Sequence, residues 1–178
     1  YLVNVCFFVS ISVGALFFVI VHHLTGAAWS VVLRRLAEIV AMAIPWLGVL
    51  MLPICVSLLL GGSLLYPWND AELRASDALI QHKAPYLNAG FFTARAVLYF
   101  VIWTLLAWFF WSHSLRQDSG PDPVGWARVR RWSGPAMIVF AITVNFAAFD
   151  WLMSLDPHWF STIFGVYFFS GSVVGFLA

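Results

Sequence analysis

The chain has 178 residues, of which 62% are hydrophobic and 10% charged, with a formal net charge of +1 and a mean hydropathy of +0.90. Soluble domains carry roughly 25% charged residues, so a surface this poor in charge is not built to face water. The small net charge argues against a nucleic-acid partner. The two cysteines, Cys6 and Cys55, lie in apolar runs and form neither a covalent haem motif nor a zinc or iron–sulfur cluster.

A helix needs about 20 mostly apolar residues to cross roughly 30 Å of hydrocarbon. On that measure the sequence predicts an all-α, polytopic transmembrane helical bundle of about five spans, forming a single domain over residues 1–178. The first span covers about residues 1–23, interrupted only by Asn4, Ser10, Ser12 and Gly14, and Thr25-Gly26 breaks it. No basic segment precedes this run, so it reads as a span and not a signal peptide. Tyr1 already lies inside one apolar run and Ala178 ends another, as expected of a segment of a longer membrane protein. The second span covers about 30–65, with residues 29–38 as the interfacial first turns of one long helix and kinks at Pro45 and Pro53.

Residues 70–83 are polar, with Leu73, Leu79 and Ile80 at helical spacing, which predicts an amphipathic helix on the membrane surface. The third span covers about 91–112. The most hydrophilic stretch, 112–133, reads as a loop, and the fourth span follows over about 135–155. Asp156 and Pro157 are favoured N-cap and first-turn residues and are expected to open a fifth span over about 158–178. Within it, Ser161-x-x-x-Gly165 and Gly171-x-x-x-Gly175 predict close backbone approach by neighbouring helices. Six arginines (34, 35, 116, 128, 130 and 131) fall at the first and third connections. Arg74, Lys83 and Arg95 fall on the opposite side, so the arginine-rich side is expected in the cytoplasm.

Ionisable groups inside hydrocarbon are costly and mark polar paths or interhelical ties. Asp150 is the clearest, about 15 residues into the fourth span, on a helical face shared with Thr143, Ala147 and Ser154. Its functional reading is a proton-relay carboxylate or a hydrogen-bond acceptor beside a quinone, and its structural reading is a tie between helices. His22 and His23 end the first span. Their side chains point about 100° apart, so they cannot share one metal; one is expected to face the bundle and the other the headgroups. His158 is expected near the opposite, periplasmic surface, where a pair with Asp150 could exchange protons with the periplasm. Arg95, one turn into the third span, is expected to snorkel to the interface, or else to pair with Asp150. His113 has no evident partner and receives no role. Nothing resembles a nucleotide loop, a nucleophile triad, a metal site or a haem-ligating histidine pair.

Several stretches carry a family resemblance. These are His22-His23-Leu24-Thr25-Gly26-Ala27-Ala28-Trp29-Ser30 followed by Arg34-Arg35-Leu36-Ala37-Glu38, then Lys83-Ala84-Pro85-Tyr86-Leu87-Asn88, Phe149-Asp150-Trp151-Leu152-Met153-Ser154, and residues 156–165 from Asp156-Pro157-His158-Trp159 onward. Together they resemble the NrfD-like quinone-binding membrane subunit 2 of bacterial alternative complex III, a quinol:cytochrome c oxidoreductase. The resemblance implies a roughly ten-helix subunit of the bacterial inner membrane with no haem or iron–sulfur centre of its own. It implies partners: an NrfD-like sibling, a multihaem cytochrome c, an iron–sulfur subunit and lipid. It also implies quinone or quinol as the only candidate cofactor.

The function expected on these grounds is support of quinol oxidation, with a polar path through the bundle for proton translocation. Asp150, His158, Thr143, Ser154 and Arg95 would serve that path on one side and His22 or His23 on the other. No catalytic residue is expected. The alternative is a structural anchor for peripheral redox subunits. A secondary transporter would require inverted repeats and unwound midplane helices, which the sequence lacks.

Overall fold

The computed structural model describes residues 1–27, 29, 31–118, 120 and 122–178. Among the described residues it contains eight α-helices and no strand. Four helical stretches are long and apolar enough to cross a bilayer: Leu2–Thr25, Val32–Leu59, Ala89–Gln117 and Pro123–Leu155.

Helix α1 (Leu2–Thr25) ends where Gly26 takes a left-handed conformation (φ 65°) and its amide bonds back to the His22 carbonyl, a common helix stop. It is the central element. Helices α2 (Val31–Ala41), α3 (Ile44–Leu59), α6 (Ala89–Gln117), α7 (Pro123–Trp151) and α8 (Phe164–Leu177) all pack against it. The expected single second helix is in fact two. Pro45 has no N–H with which to continue the ladder, and the chain breaks at Met42-Ala43 before α3 restarts with that proline in its first turn. Pro53 stays inside α3, as membrane helices permit.

Helix α2 gives the firmest physical argument for a lipid surround. Val32, Leu33, Leu36 and Ile39 point outward and are exposed, while Glu38 is buried against the bundle. In water this helix would be inside out. In a bilayer the arrangement is the stable one, because apolar side chains meet lipid and the charge meets protein partners.

The stretch expected as a long hydrophilic loop is mostly helix. α6 continues to Gln117, and α7 starts at Pro123 with the Asp122 carboxylate accepting from the Gly125 amide at 2.8 Å. Proline at the first helical position and aspartate as cap are ordinary start signals, outweighed in the sequence reading by the run of polar residues around them. At the other end, residues 70–83 form two short helices, α4 (Ala71–Ser76) and α5 (Ala78–Lys83). Asp77 divides them by capping α5 through the amides of Leu79 and Ile80, as Asp70 caps α4 through those of Glu72 and Leu73. Asp156-Pro157 does not open the last helix. The Asp156 carboxylate instead accepts from the His158 amide at 3.0 Å in a turn, and α8 begins at Phe164 with 14 residues. Among the described residues four stretches reach spanning length, and α8 adds a shorter apolar helix.

Of the two small-residue pairs, only Gly165 meets a tight neighbour. A side chain there would strike Asn145 of α7, whereas Gly171 faces open space and Gly175 makes ordinary contact with Ile11. The tightest backbone approach is one the sequence reading did not single out. A Cβ on Gly14 would lie 2.1 Å from the Ser172 carbonyl oxygen, so α1 and α8 touch backbone to backbone.

The two helix caps on the surface give a pH prediction. Bonds from the amides of Leu73 and Glu72 hold the Asp70 carboxyl below the usual carboxylate range. At Asp77 desolvation pushes upward, but the amides of Leu79 and Ile80, and then His158, outweigh it and the net direction is down. A carboxyl lowered by folding stabilises fully above its unfolded value, and that contribution is lost as pH falls through the folded value. Amide hydrogen exchange at Leu73, Leu79 and Ile80 is therefore expected to speed up below the ordinary carboxylate range while the core of α1 stays protected. Uniform exchange rates across that window would contradict the capping account.

Candidate functional site

The structure gathers the polar groups at two ends of the bundle. At one end α6 and α7 face each other with matched stripes. Arg95, Tyr99 and Trp103 are spaced four apart on α6 and so share a face; Thr143 and Asp150 are seven apart on α7 and share another. The stripes interlock: the Trp103 indole N–H donates to Thr143 Oγ1 at 2.8 Å, while Arg95 and Tyr99 reach Asp150.

Asp150 is 1% exposed. Its Oδ1 accepts from the Tyr86 hydroxyl at 2.8 Å and from Arg95 Nη2 at 3.0 Å. Its Oδ2 accepts from Arg95 Nε at 2.7 Å and from the Tyr99 hydroxyl at 2.7 Å. A carboxylate offers about four acceptor positions, and all are filled. Ser154 donates its hydroxyl to the Asp150 backbone carbonyl, so it supports the turn and not the carboxylate.

Arg95 is buried and does not snorkel. Its guanidinium lies 3.8 Å from the Tyr86 ring centre and 4.3 Å from that of Phe91, and its Nη1 donates to the Tyr86 carbonyl at 3.0 Å. The carboxylate and the two π faces together replace the water it gives up, which is why it need not reach the surface. The Tyr86 phenol, just before α6, is pushed well above its usual range by burial and then by the Asp150 charge, so it remains protonated.

Tyr86 also forms part of the wall of a cavity of about 340 Å³ between α5 and the turn after α7, along with Lys83, Phe149, Met153, Ser154 and Trp159. The turn is fastened over this region. Lys83 Nζ donates to the Pro157 carbonyl at 2.5 Å, and His158 Nε2 sits 2.7 Å from Asp77 Oδ2. His158 is thereby exposed and paired with Asp77, and not with Asp150 as the sequence reading allowed; the α5 cap offers the nearer carboxylate at the surface, whereas Asp150 is sealed behind Tyr86.

At the opposite end His22 and His23 close α1. Both are buried, contrary to the expectation that one would meet the headgroups. Packing by α2, α6 and α7 around the end of α1 covers both directions. Their rings stand edge to face, and His23 stacks on Phe110 and meets Trp126 edge-on. His113 is buried there too, its Nδ1 2.8 Å from the Phe109 carbonyl. Glu38 lies with Arg34 and Arg35, and these arginines also bind Gln117 and Asp118 of α6.

Tyr86 and Glu38 entered the sequence reading as members of the resembling stretches, and Tyr99 and Trp103 not at all, so none of the four was assigned a role. The spacing Arg95–Tyr99–Trp103 carried a usable signal, since it sets two polar-tipped aromatics beneath the buried arginine. Among the described residues no cluster of histidine, cysteine and carboxylate is suited to hold a metal ion. The fold and its buried polar ties define an all-α, membrane-spanning helical bundle. No protein-family model matches the chain, and no curated protein matches it.

Proposed function

We propose that this chain is a membrane subunit of a respiratory quinol:cytochrome c oxidoreductase of the alternative complex III kind, and that it supports quinol oxidation at the cavity beside Tyr86. The observation that carries the reading is the double duty of Tyr86. It is fixed by donation to a buried carboxylate and at the same time lines a mostly apolar cavity near one end of the bundle. A quinol headgroup needs such a place: an apolar slot for the ring and a few fixed polar groups to orient its hydroxyls. Multihaem and iron–sulfur subunits would carry the electrons, and the inner membrane of a bacterium would be its setting.

The geometry supports the acceptor side of the two roles considered for Asp150. A carrier must bind and release a proton, and a carboxylate with every acceptor position filled by Arg95, Tyr86 and Tyr99 is poorly suited to that. Asp150 acts here as the fixed point that orients Tyr86. The same saturation favours the second reading, a structural anchor in which the cluster only ties α6 to α7.

A photoreactive quinone analogue separates the two. In the intact membrane complex it is expected to label the segments containing Lys83–Leu87 and Met153–Trp159, with excess quinol competing. Met153→Trp, which fills the cavity without touching Asp150, is expected to cut labelling and quinol oxidation together by about tenfold or more, equivalent to roughly 1.4 kcal/mol of binding. Labelling confined to other subunits, with turnover unchanged in Met153→Trp and Asp150→Asn, would leave the anchor as the surviving role.

A further inference from the structure

Among the described residues two carboxylates are buried in the spanning helices, and they are compensated in opposite ways. Asp150 is saturated. Glu38 is equally enclosed, with 1% of its side chain exposed, yet its arginine partners engage it only loosely. Arg34 Nε and Arg35 Nη1 each stand 3.5 Å away, too long for the short charge-assisted bonds such pairs form when fully engaged. Both arginines hold second partners on α6: Arg34 donates to Gln117 at 3.3 Å, and Arg35 pairs with Asp118. The guanidiniums therefore have somewhere to go when the Glu38 charge is neutralised.

At this end of the bundle several buried polar atoms have no protein partner among the described residues. Both ring nitrogens of His23 and Nε2 of His113 lack a hydrogen-bond partner among the described residues, while the Ser114 hydroxyl faces Glu38. These groups come from three helices, and Arg34 lies beside both Glu38 and His23. His23 of α1 feels His22, His113 and Arg34; Glu38 of α2 faces Ser114 and Asp118 of α6. Buried polar atoms are nearly always bonded, and where protein supplies no partner internal water does, with each molecule making about three bonds. An enclosed carboxylate, imidazoles able to donate and accept, and water between them are the components of a proton-exchanging site.

We propose that Glu38 is a proton-exchanging carboxylate, joined through internal water to the imidazoles of His23 and His113 at this end of the bundle. The step is a proton transfer alone. A proton delivered by water binds a Glu38 oxygen to give the neutral acid, Arg34 and Arg35 shift toward Gln117 and Asp118, and release returns the proton to water with no electron moved. The inference adds a site to the functional reading above and does not depend on it, since quinone chemistry enters neither the argument nor the test.

Infrared difference spectroscopy of the full-length protein in lipid nanodiscs, stepped between two pH values, reads such a group directly. A protonated-carboxyl stretching band is expected on acidification, reversible, and shifted promptly on exchange into heavy water. It should vanish in Glu38→Gln, persist in Asp150→Asn, and exchange more slowly in His23→Phe with His113→Phe. Glu38→Asp serves if the glutamine variant does not fold, and it should move the band without abolishing it. A wild-type protein with no such band, or a band that survives unchanged in both Glu38 variants, overturns the proposal whatever the outcome of the quinone labelling.

Discussion

Arg95→Leu is expected to destabilise the bundle by about 3–5 kcal/mol, the usual cost of leaving a buried charge without its partner. The loss arises because Asp150 would keep only the hydroxyls of Tyr86 and Tyr99 in a place with no access to water. Asp150→Leu should be similarly costly, since it strands the guanidinium between Tyr86 and Phe91. The double variant Arg95→Leu/Asp150→Leu is expected to recover much of the loss, because a pair of apolar side chains removes both desolvation penalties at once. Detergent-induced unfolding of the four proteins in bicelles forms the double-mutant cycle. If either single variant matched the parent in stability, the ion pair would have to be hydrated and the sealed geometry wrong.

The second large effect is steric. Gly14→Leu is expected to force α8 from α1, because even the first carbon of the new side chain would lie 2.1 Å from the Ser172 carbonyl oxygen and 2.7 Å from its carbon. A backbone group cannot swing aside as a flexible side chain can, so the helices must separate. Overpacking in close-packed interiors costs about 1–3 kcal/mol, and backbone contact places this site at the upper end or beyond. Gly134→Ala in α7 is the control. Nothing lies within 4 Å of a Cβ there, and alanine in a helix interior is favoured over glycine by about 1 kcal/mol. Hydrogen exchange across Phe164–Leu177 is expected to accelerate in Gly14→Leu and stay unchanged in Gly134→Ala. Protected α8 amides in the leucine variant would mean that the two helices are not in backbone contact.

Composition and the length of apolar runs were enough to predict the all-α class, the spans near α1, α6 and the core of α7, and the enclosure of Asp150. Burial in lipid selects for long apolar runs, and a lone carboxylate inside one stands out against that background. The punctuation was less legible. Pro45 was read as a kink and became a break, while Asp122-Pro123 started a helix inside what looked like a loop. Asp156-Pro157, with the same start signal, made only a turn. Local signals of this kind state what a segment can do, and packing against neighbours chooses among the options.

What only the tertiary structure decided was partnership. The stripe on α7 was visible from its spacing, but its meaning depended on the Arg95–Tyr99–Trp103 stripe of α6 standing opposite, and no periodicity within one helix reports which helix faces it. Glu38 looked like an ordinary interfacial charge until α2 was seen to turn its apolar side to lipid and its carboxylate inward. Sequence sets how many charges the membrane must tolerate. Helix packing sets which of them are saturated, as Asp150 is, and which, like Glu38, are left able to change.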